Sequence, residues 1–190
     1  MAHGTQEVEI KVAIPDVASA RRLLRAAGFR VSQPRVFESN TVFDAPGLPL
    51  RTSGSLLRVR EVKGTATLTY KGPATTKKHK SREELEVTAG DARVLQSILE
   101  RLGFESTFRY EKYRTELRGE GRGVIMLDET PVGVYLELEG SPRWIDRTAR
   151  RLGFAEKDYI TDSYWRLYAD WCKRQGREPR HMLLAGRRKR

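Results

Sequence analysis

Apolar and polar residues alternate with period two along most of this chain. In residues 6–14, Glu7, Glu9 and Lys11 fall on one side and Val8, Ile10 and Val12 on the other. That spacing predicts a strand with one charged and one apolar face. The same pattern predicts strands over 35–44, 55–62, 66–71, 81–88, 108–117, 123–129 and 132–139. Lys63-Gly64 and Gly72-Pro73 break the run, Ala45-Pro46-Gly47 forms a turn, and the last two strands join as a hairpin near Thr130-Pro131. The basic stretch 77–80 is assigned to the loop after Pro73.

Four segments switch to helical period. The first follows Pro15-Asp16, with Asp16 as N-cap and Val17, Ala20, Leu23 and Leu24 on one face, and stops at Gly28. Asp91 opens the second, whose stripe is Val94, Leu95, Ile98 and Leu102; Gly103 stops it. Pro142 opens the third, which ends at Gly153, and the fourth spans 161–173 with Tyr164, Leu167, Tyr168 and Trp171. Leu24 to Phe29, Leu99 to Phe104 and Ala149 to Phe154 end alike, in Gly-Phe. An internal repeat would explain this; a glycine C-cap followed by an apolar anchor explains it more simply.

Amphipathic helices need an apolar surface, and the apolar strand faces supply it. The predicted fold is therefore α+β, a closed or nearly closed β-barrel with helices packed on its outer face. Its charged faces then turn inward. They carry Glu7, Glu9, Lys11, Arg58, Arg60, Lys71, Arg82, Glu84, Glu86, Lys112, Arg114, Asp128, Glu137 and Glu139. For any single strand, a solvated charged face is the plainer reading. The ensemble favours the interior, because its signs are sorted and four of its seven bases are arginine, which grips phosphate oxygens in a fork. Interior charge is costly unless paired or met by a ligand. Both signs together imply a polyanion held with a hard divalent cation, Mg²⁺ or Mn²⁺. No glycine-rich phosphate loop is present, so side chains must do the binding.

Charge is the one feature of composition that pulls elsewhere. The formal net charge is +11, which suggests a nucleic-acid partner. Much of it lies in residues 173–190, assigned here as a basic, disordered tail capable of weak nucleic-acid contact, against a domain spanning 1–172. The single cysteine, Cys172, excludes a disulfide framework and a Cys-rich zinc site. No apolar run is long enough to span a membrane as a helix, and the N-terminus lacks the apolar stretch of a signal peptide; a soluble, cytoplasmic protein is expected. His3, His79 and His181 fall in loops or termini with no nucleophile motif nearby. Packing is the expected role of Trp144, Trp165 and Trp171, with base or thiazole stacking at a tunnel mouth as an alternative.

An ordered series of motifs resembles the CYTH superfamily, the triphosphate tunnel metalloenzymes. It runs through Glu7-Val8-Glu9-Ile10-Lys11, Asn40-Thr41-Val42-Phe43-Asp44, Leu57-Arg58-Val59-Arg60, Thr69-Tyr70-Lys71-Gly72-Pro73 and Arg82-Glu83-Glu84-Leu85-Glu86. Glu111-Lys112-Tyr113-Arg114, Leu127-Asp128-Glu129, Leu136-Glu137-Leu138-Glu139 and Ser163-Tyr164 complete it. The resemblance implies an eight-stranded antiparallel β-barrel, a tunnel that binds a small-molecule triphosphate with divalent metal. It implies Glu7, Glu9, Glu137 and Glu139 as metal ligands, with Glu84, Glu86 and Asp128 as further candidates. Lys11, Arg58, Arg60, Lys71, Arg82, Lys112 and Arg114 would bind substrate, and Glu7, Glu9, Lys11, Lys71 and Arg58 form the catalytic set. The family includes class IV adenylyl cyclases and thiamine, inorganic and RNA triphosphatases. The His-Phe pair that often precedes E-x-E-x-K in bacterial cyclases is not reproduced by Met1-Ala2-His3-Gly4. Hydrolysis of a triphosphate is the favoured reading, ATP cyclisation the alternative, and a non-catalytic polyphosphate or nucleic-acid binding module the second alternative. The module reading requires residues 173–190 for function; the enzyme reading does not.

Overall fold

The computed structural model describes residues 5–186. Its strands are β1 (Thr5–Ile14), β2 (Arg30–Asp44), β3 (Leu56–Val62), β4 (Thr65–Lys71), β5 (Thr75–Thr76), β6 (Lys80–Ala89), β7 (Glu105–Arg118), β8 (Val124–Thr130) and β9 (Gly133–Glu139). Its helices are α1 (Val17–Ala26), α2 (Pro49–Thr52), α3 (Ala92–Arg101), α4 (Pro142–Arg151) and α5 (Tyr164–Arg174), with a 3-10 turn at Glu156–Asp158. Strand order is β1-β9-β8-β7-β2-β3-β4-β6, and β1 pairs back onto β6, so eight strands close a barrel. Every pairing is antiparallel. The two-residue β5 pairs with the first residues of β6, on the side where β4 has ended.

The apolar strand faces point outward, as the helices require. Ile10 and Val12 of β1, Ile125 and Leu127 of β8, and Leu136 and Leu138 of β9 form one core with Leu24 of α1 and Trp144 and Ile145 of α4. On the other side, Phe43, Val59 and Ala66 receive Ala92 and Leu99 of α3. The N-caps are Asp16, Asp91, Ser141 and Ser163, each accepting a backbone N–H of the first turn. The three Gly-Phe endings are C-caps. Gly28, Gly103 and Gly153 sit at φ 78°, 89° and 85°, and each following Phe N–H donates to the carbonyl five residues back.

Two expectations are corrected. The strand predicted over 35–44 begins at Arg30, because β2 carries bulges around Gln33 that absorb Pro34 and hide the alternation. The basic segment from residue 173 is not a disordered tail within the described residues. Helix α5 runs to Arg174, and residues 181–184 then dock on β7. Strand β8 covers β7 only from Tyr113 onward, leaving an open edge at Arg109 and Glu111. Met182 fills it: its N–H donates to the Arg109 carbonyl, and its carbonyl accepts from Glu111 N–H, both at 2.9 Å. Its side chain is buried among Phe108, Tyr110, Tyr135 and Tyr164. Unpaired backbone on a strand edge is the physical reason; one apolar side chain and two hydrogen bonds outweigh the basic composition around it. Residues 187–190 of the proposed tail, and His3, lie outside the described residues.

Candidate active site in the barrel interior

The inward faces enclose a cavity of about 440 Å³. Thirteen of the fourteen predicted site residues line it: Glu7, Glu9, Lys11, Arg58, Arg60, Lys71, Arg82, Glu84, Glu86, Lys112, Arg114, Glu137 and Glu139. The fourteenth, Asp128, lies behind the wall, fully buried. Period-two geometry turns these groups inward, and the cross-strand register then sets acids against bases: Glu7 faces Arg82, Lys11 faces Glu137, and Lys71 faces Glu84.

Three ion networks result. Lys71 donates to Glu7 at 2.6 Å and lies 3.0 Å from Glu84, while Arg82 reaches the other Glu7 oxygen at 3.3 Å. Lys11 sits 2.8 Å from Glu137 and 3.5 Å from Glu9, which also holds Lys80 at 2.9 Å. Asp128 accepts from Lys112 at 2.8 Å, from the two arms of Arg114 at 2.7 and 2.6 Å, and from the Tyr164 hydroxyl at 2.6 Å. Arg114 also contacts Glu137, joining the second and third networks. Arg58 and Arg60 both approach Glu86, which accepts from Thr69 at 2.6 Å.

The electrostatics differ between acids. Burial works to raise Glu9, but Lys11 and Lys80 outweigh it and hold its carboxyl at about 2. Glu137 is likewise buried, and Lys11 and Arg114 hold it well below the carboxylate range. Glu139 is the opposite case. Burial, then Glu7 and Glu137, push it up to about 7, and the facing Lys71 does not compensate. Unfolded, this carboxyl titrates near 4.5. Between these values the folded protein keeps a proton that the unfolded chain releases, so Glu139's contribution to stability is complete below 4.5 and lost as pH rises through 7. In metal-free buffer, thermal melts of Glu139→Gln should lose this slope and exceed wild type above pH 7; a variant that melts below wild type at pH 8 contradicts the assignment.

Sequence reasoning gave no site role to five groups, although Asn40 and Tyr164 stand in its motifs. Lys80, placed in a loop, is the first residue of β6 and points inward; β5 pairs with it and extends the strand. Extending the Arg82, Glu84, Glu86 alternation back by two residues would have found it. The same rule finds Glu38 and Asn40 on β2. Glu38 lies 3.7 Å from Lys112, and the cluster Lys112, Arg114, Arg60 and Arg58 overcomes burial to hold it at about 2. Asn40 is fully buried, and neither amide atom has a partner among the described residues. Tyr110 accepts from Arg58 at 3.2 Å, and Tyr164 enters from α5. With Lys80 and Glu38 included, the interior carries eight acids and eight bases. Of the other singled-out residues, Cys172 is buried, Trp144 packs and donates to the Glu120 carbonyl, and His79 bonds Asp146 outside the barrel. His181 Nδ1 accepts from Arg109 N–H.

A closed antiparallel barrel with sixteen charges turned inward defines a triphosphate tunnel. The chain belongs to the CYTH domain family, whose profile matches residues 5–164. It is an enzyme of the triphosphatase or adenylyl cyclase type, and enzymes of this family generally depend on a divalent metal. A Methanocaldococcus jannaschii protein named for a proposed adenylate cyclase activity is 33% identical over 135 residues, covering 71% of this chain and 77% of that one. A Vibrio parahaemolyticus structure with the same kind of name superposes with a TM-score of 0.75 at 21% identity, over 87% of this chain and 98% of that one. A Hippeastrum protein described as a proposed adenylyl cyclase with dominant triphosphatase activity has a TM-score of 0.62 at 20% identity, over 91% and 97% of the two chains.

Proposed function

We propose that this protein hydrolyses a triphosphate-containing small molecule with the help of a divalent cation, Mg²⁺ or Mn²⁺. The carrying observation is that the eight interior bases come from five of the eight barrel strands, β1, β3, β4, β6 and β7, so they stand on opposite walls of the cavity rather than on one. A chain of phosphates is met from opposite sides by Lys11, Arg58, Arg60, Lys71, Lys80, Arg82, Lys112 and Arg114, and charge that develops on its oxygens is offset in place.

The carboxylates fit the cation in donor chemistry. Among the described residues no three of them already converge as a metal cluster. Yet burial, together with the neighbouring charges of Glu7, Glu137 and Glu84, lets Glu139 keep its proton to about 7. Hard oxygen donors with surplus negative charge suit a hard divalent ion. Once bound, that ion polarises phosphate oxygens as a Lewis acid. Lys71, bonded to Glu7 and Glu84, and Lys11, bonded to Glu137, then exchange a carboxylate for a phosphate oxygen. Ion pairs within the protein become contacts to the substrate and the cation together.

The second reading, ATP cyclisation, is favoured by the names of the Methanocaldococcus and Vibrio proteins. The decisive measurement incubates the protein with tripolyphosphate, ATP and thiamine triphosphate, with each metal, and separates the products. Orthophosphate release is expected, reduced on the order of 100-fold in Glu7→Gln. Pyrophosphate with cyclic AMP would replace this reading by the cyclase, and no turnover of any substrate would leave a binding module.

A further inference from the structure

Acids and bases cancel in the tunnel interior, so the net positive charge of the described residues lies outside it. Part of it is concentrated where β2 begins, β7 ends and α4 passes. Arg30 and Arg118 are direct cross-strand neighbours, an arrangement that costs stability for like charges. Gly119, beside Arg118, lies against the Phe29 ring, and the Arg151 guanidinium stands over the same ring at 5.9 Å. Two residues further on, Gly121 lies against Trp144, where an added Cβ would also come within 4 Å of the Arg147 guanidinium, and Arg122 follows it. All five arginines are exposed, and none forms an ion pair with a carboxylate among the described residues. Glu120 is the acid within this stretch.

The cluster is continuous with the active site. Arg118 lines the cavity, near Glu116, Val124 and Glu139, whereas Arg30, Arg122, Arg147 and Arg151 stand outside it. We infer that this rim is a binding site for long-chain inorganic polyphosphate, whose end enters the tunnel while the following units lie across the arginines. The inference rests on the triphosphate reading of the interior and extends it in chain length. Guanidinium forks match phosphate oxygens, and repulsion between Arg30 and Arg118 is relieved by an anion laid between them. A single-stranded nucleic acid is the poorer fit. It needs exposed aromatic faces for its bases, and the rim's rings, Phe29 and Trp144, are only 6% and 5% exposed.

The test is a metal-free binding titration with tripolyphosphate, a size-fractionated polyphosphate several times longer, and a 5′-triphosphorylated RNA oligomer, with tripolyphosphate turnover followed separately in Mg²⁺ or Mn²⁺. The protein and a triple variant, Arg30→Gln, Arg122→Gln and Arg147→Gln, are compared. Wild type should bind the long polyphosphate at least ~10-fold more tightly than tripolyphosphate, with a steeper salt dependence. The triple variant should lose that margin, and roughly two units of salt slope, while binding and turning over tripolyphosphate as wild type does. Equal affinity for the two chain lengths, or an equal loss for both in the variant, overturns the inference. Rim-dependent binding of the RNA without rim-dependent binding of polyphosphate overturns it in favour of a nucleic acid. Failure of the triphosphate reading shows separately: tripolyphosphate would then neither bind nor turn over, whatever the long chain does.

Discussion

Asp128→Ala should abolish turnover of a triphosphate and lower the free energy of unfolding by about 3–5 kcal/mol. This carboxylate is fully buried, and its two oxygens accept from Lys112, Arg114 and Tyr164. Removing it leaves two cations and a hydroxyl in the protein interior with their main acceptor gone. Breaking a buried ion pair on one side is worse than never having made it, because the surviving charge keeps its desolvation cost. The effect reaches the tunnel, since Arg114 and Lys112 line it and Arg114 also contacts Glu137. Asp128→Asn retains one acceptor oxygen and should recover part of the stability and little of the turnover. Urea denaturation with parallel rate measurements distinguishes these cases. An alanine variant with wild-type midpoint and rate would show that this network carries neither property.

Deleting residues 176–190 should be nearly as damaging, which reverses the expectation drawn from composition. Met182 is 1% exposed and packs into the aromatic cluster around Phe108, Tyr110 and Tyr164. Losing a buried side chain of this size costs about 2–5 kcal/mol, before the two backbone hydrogen bonds to β7 are counted. Tyr168, whose hydroxyl donates to the His181 carbonyl at 2.9 Å, loses its tie as well. Tyr110 holds Arg58 and Tyr164 holds Asp128, so loosening this corner disturbs two of the interior networks. Activity should fall at least ~10-fold and the melting temperature by several degrees. Removing only residues 187–190 should leave both unchanged. Full activity after the longer deletion would show that the docked segment is ornamental. The same experiment can no longer separate an enzyme from a binding module, because the segment supports the tunnel in either case.

The barrel was legible because alternation recurred on every strand, with the apolar faces matched by four helical stripes. One strand of this kind says little; the apolar demand of the helices is what settles which face turns inward. Thirteen of the fourteen predicted site residues line the cavity for the same reason. What composition concealed was local. Lys80 was hidden by Pro73 and by the short β5 that completes its strand, and the start of β2 by its bulges, whereas Glu38 and Asn40 lay within the predicted strand and were passed over. The docking of Met182 depends on an open stretch of β7, created where β8 stops pairing. No pattern within residues 173–186 encodes that vacancy. Nor does charge counting reveal sign separation: the interior cancels, and the surplus only acquires an address once the strands are assembled.

Closure of the barrel has a consequence for how the enzyme comes into being. Strand β1, made among the first residues, pairs with β6 on one side and β9 on the other. Glu9 meets Lys80 across 71 positions of sequence and stands opposite Glu139 only when the final strand arrives. Contacts so distant along the chain form slowly, because their loop entropy must be lost before any pairing rewards it. The interior acids and bases therefore converge only where the barrel closes. A partly synthesised or partly folded chain has strands and a helix or two, but no site.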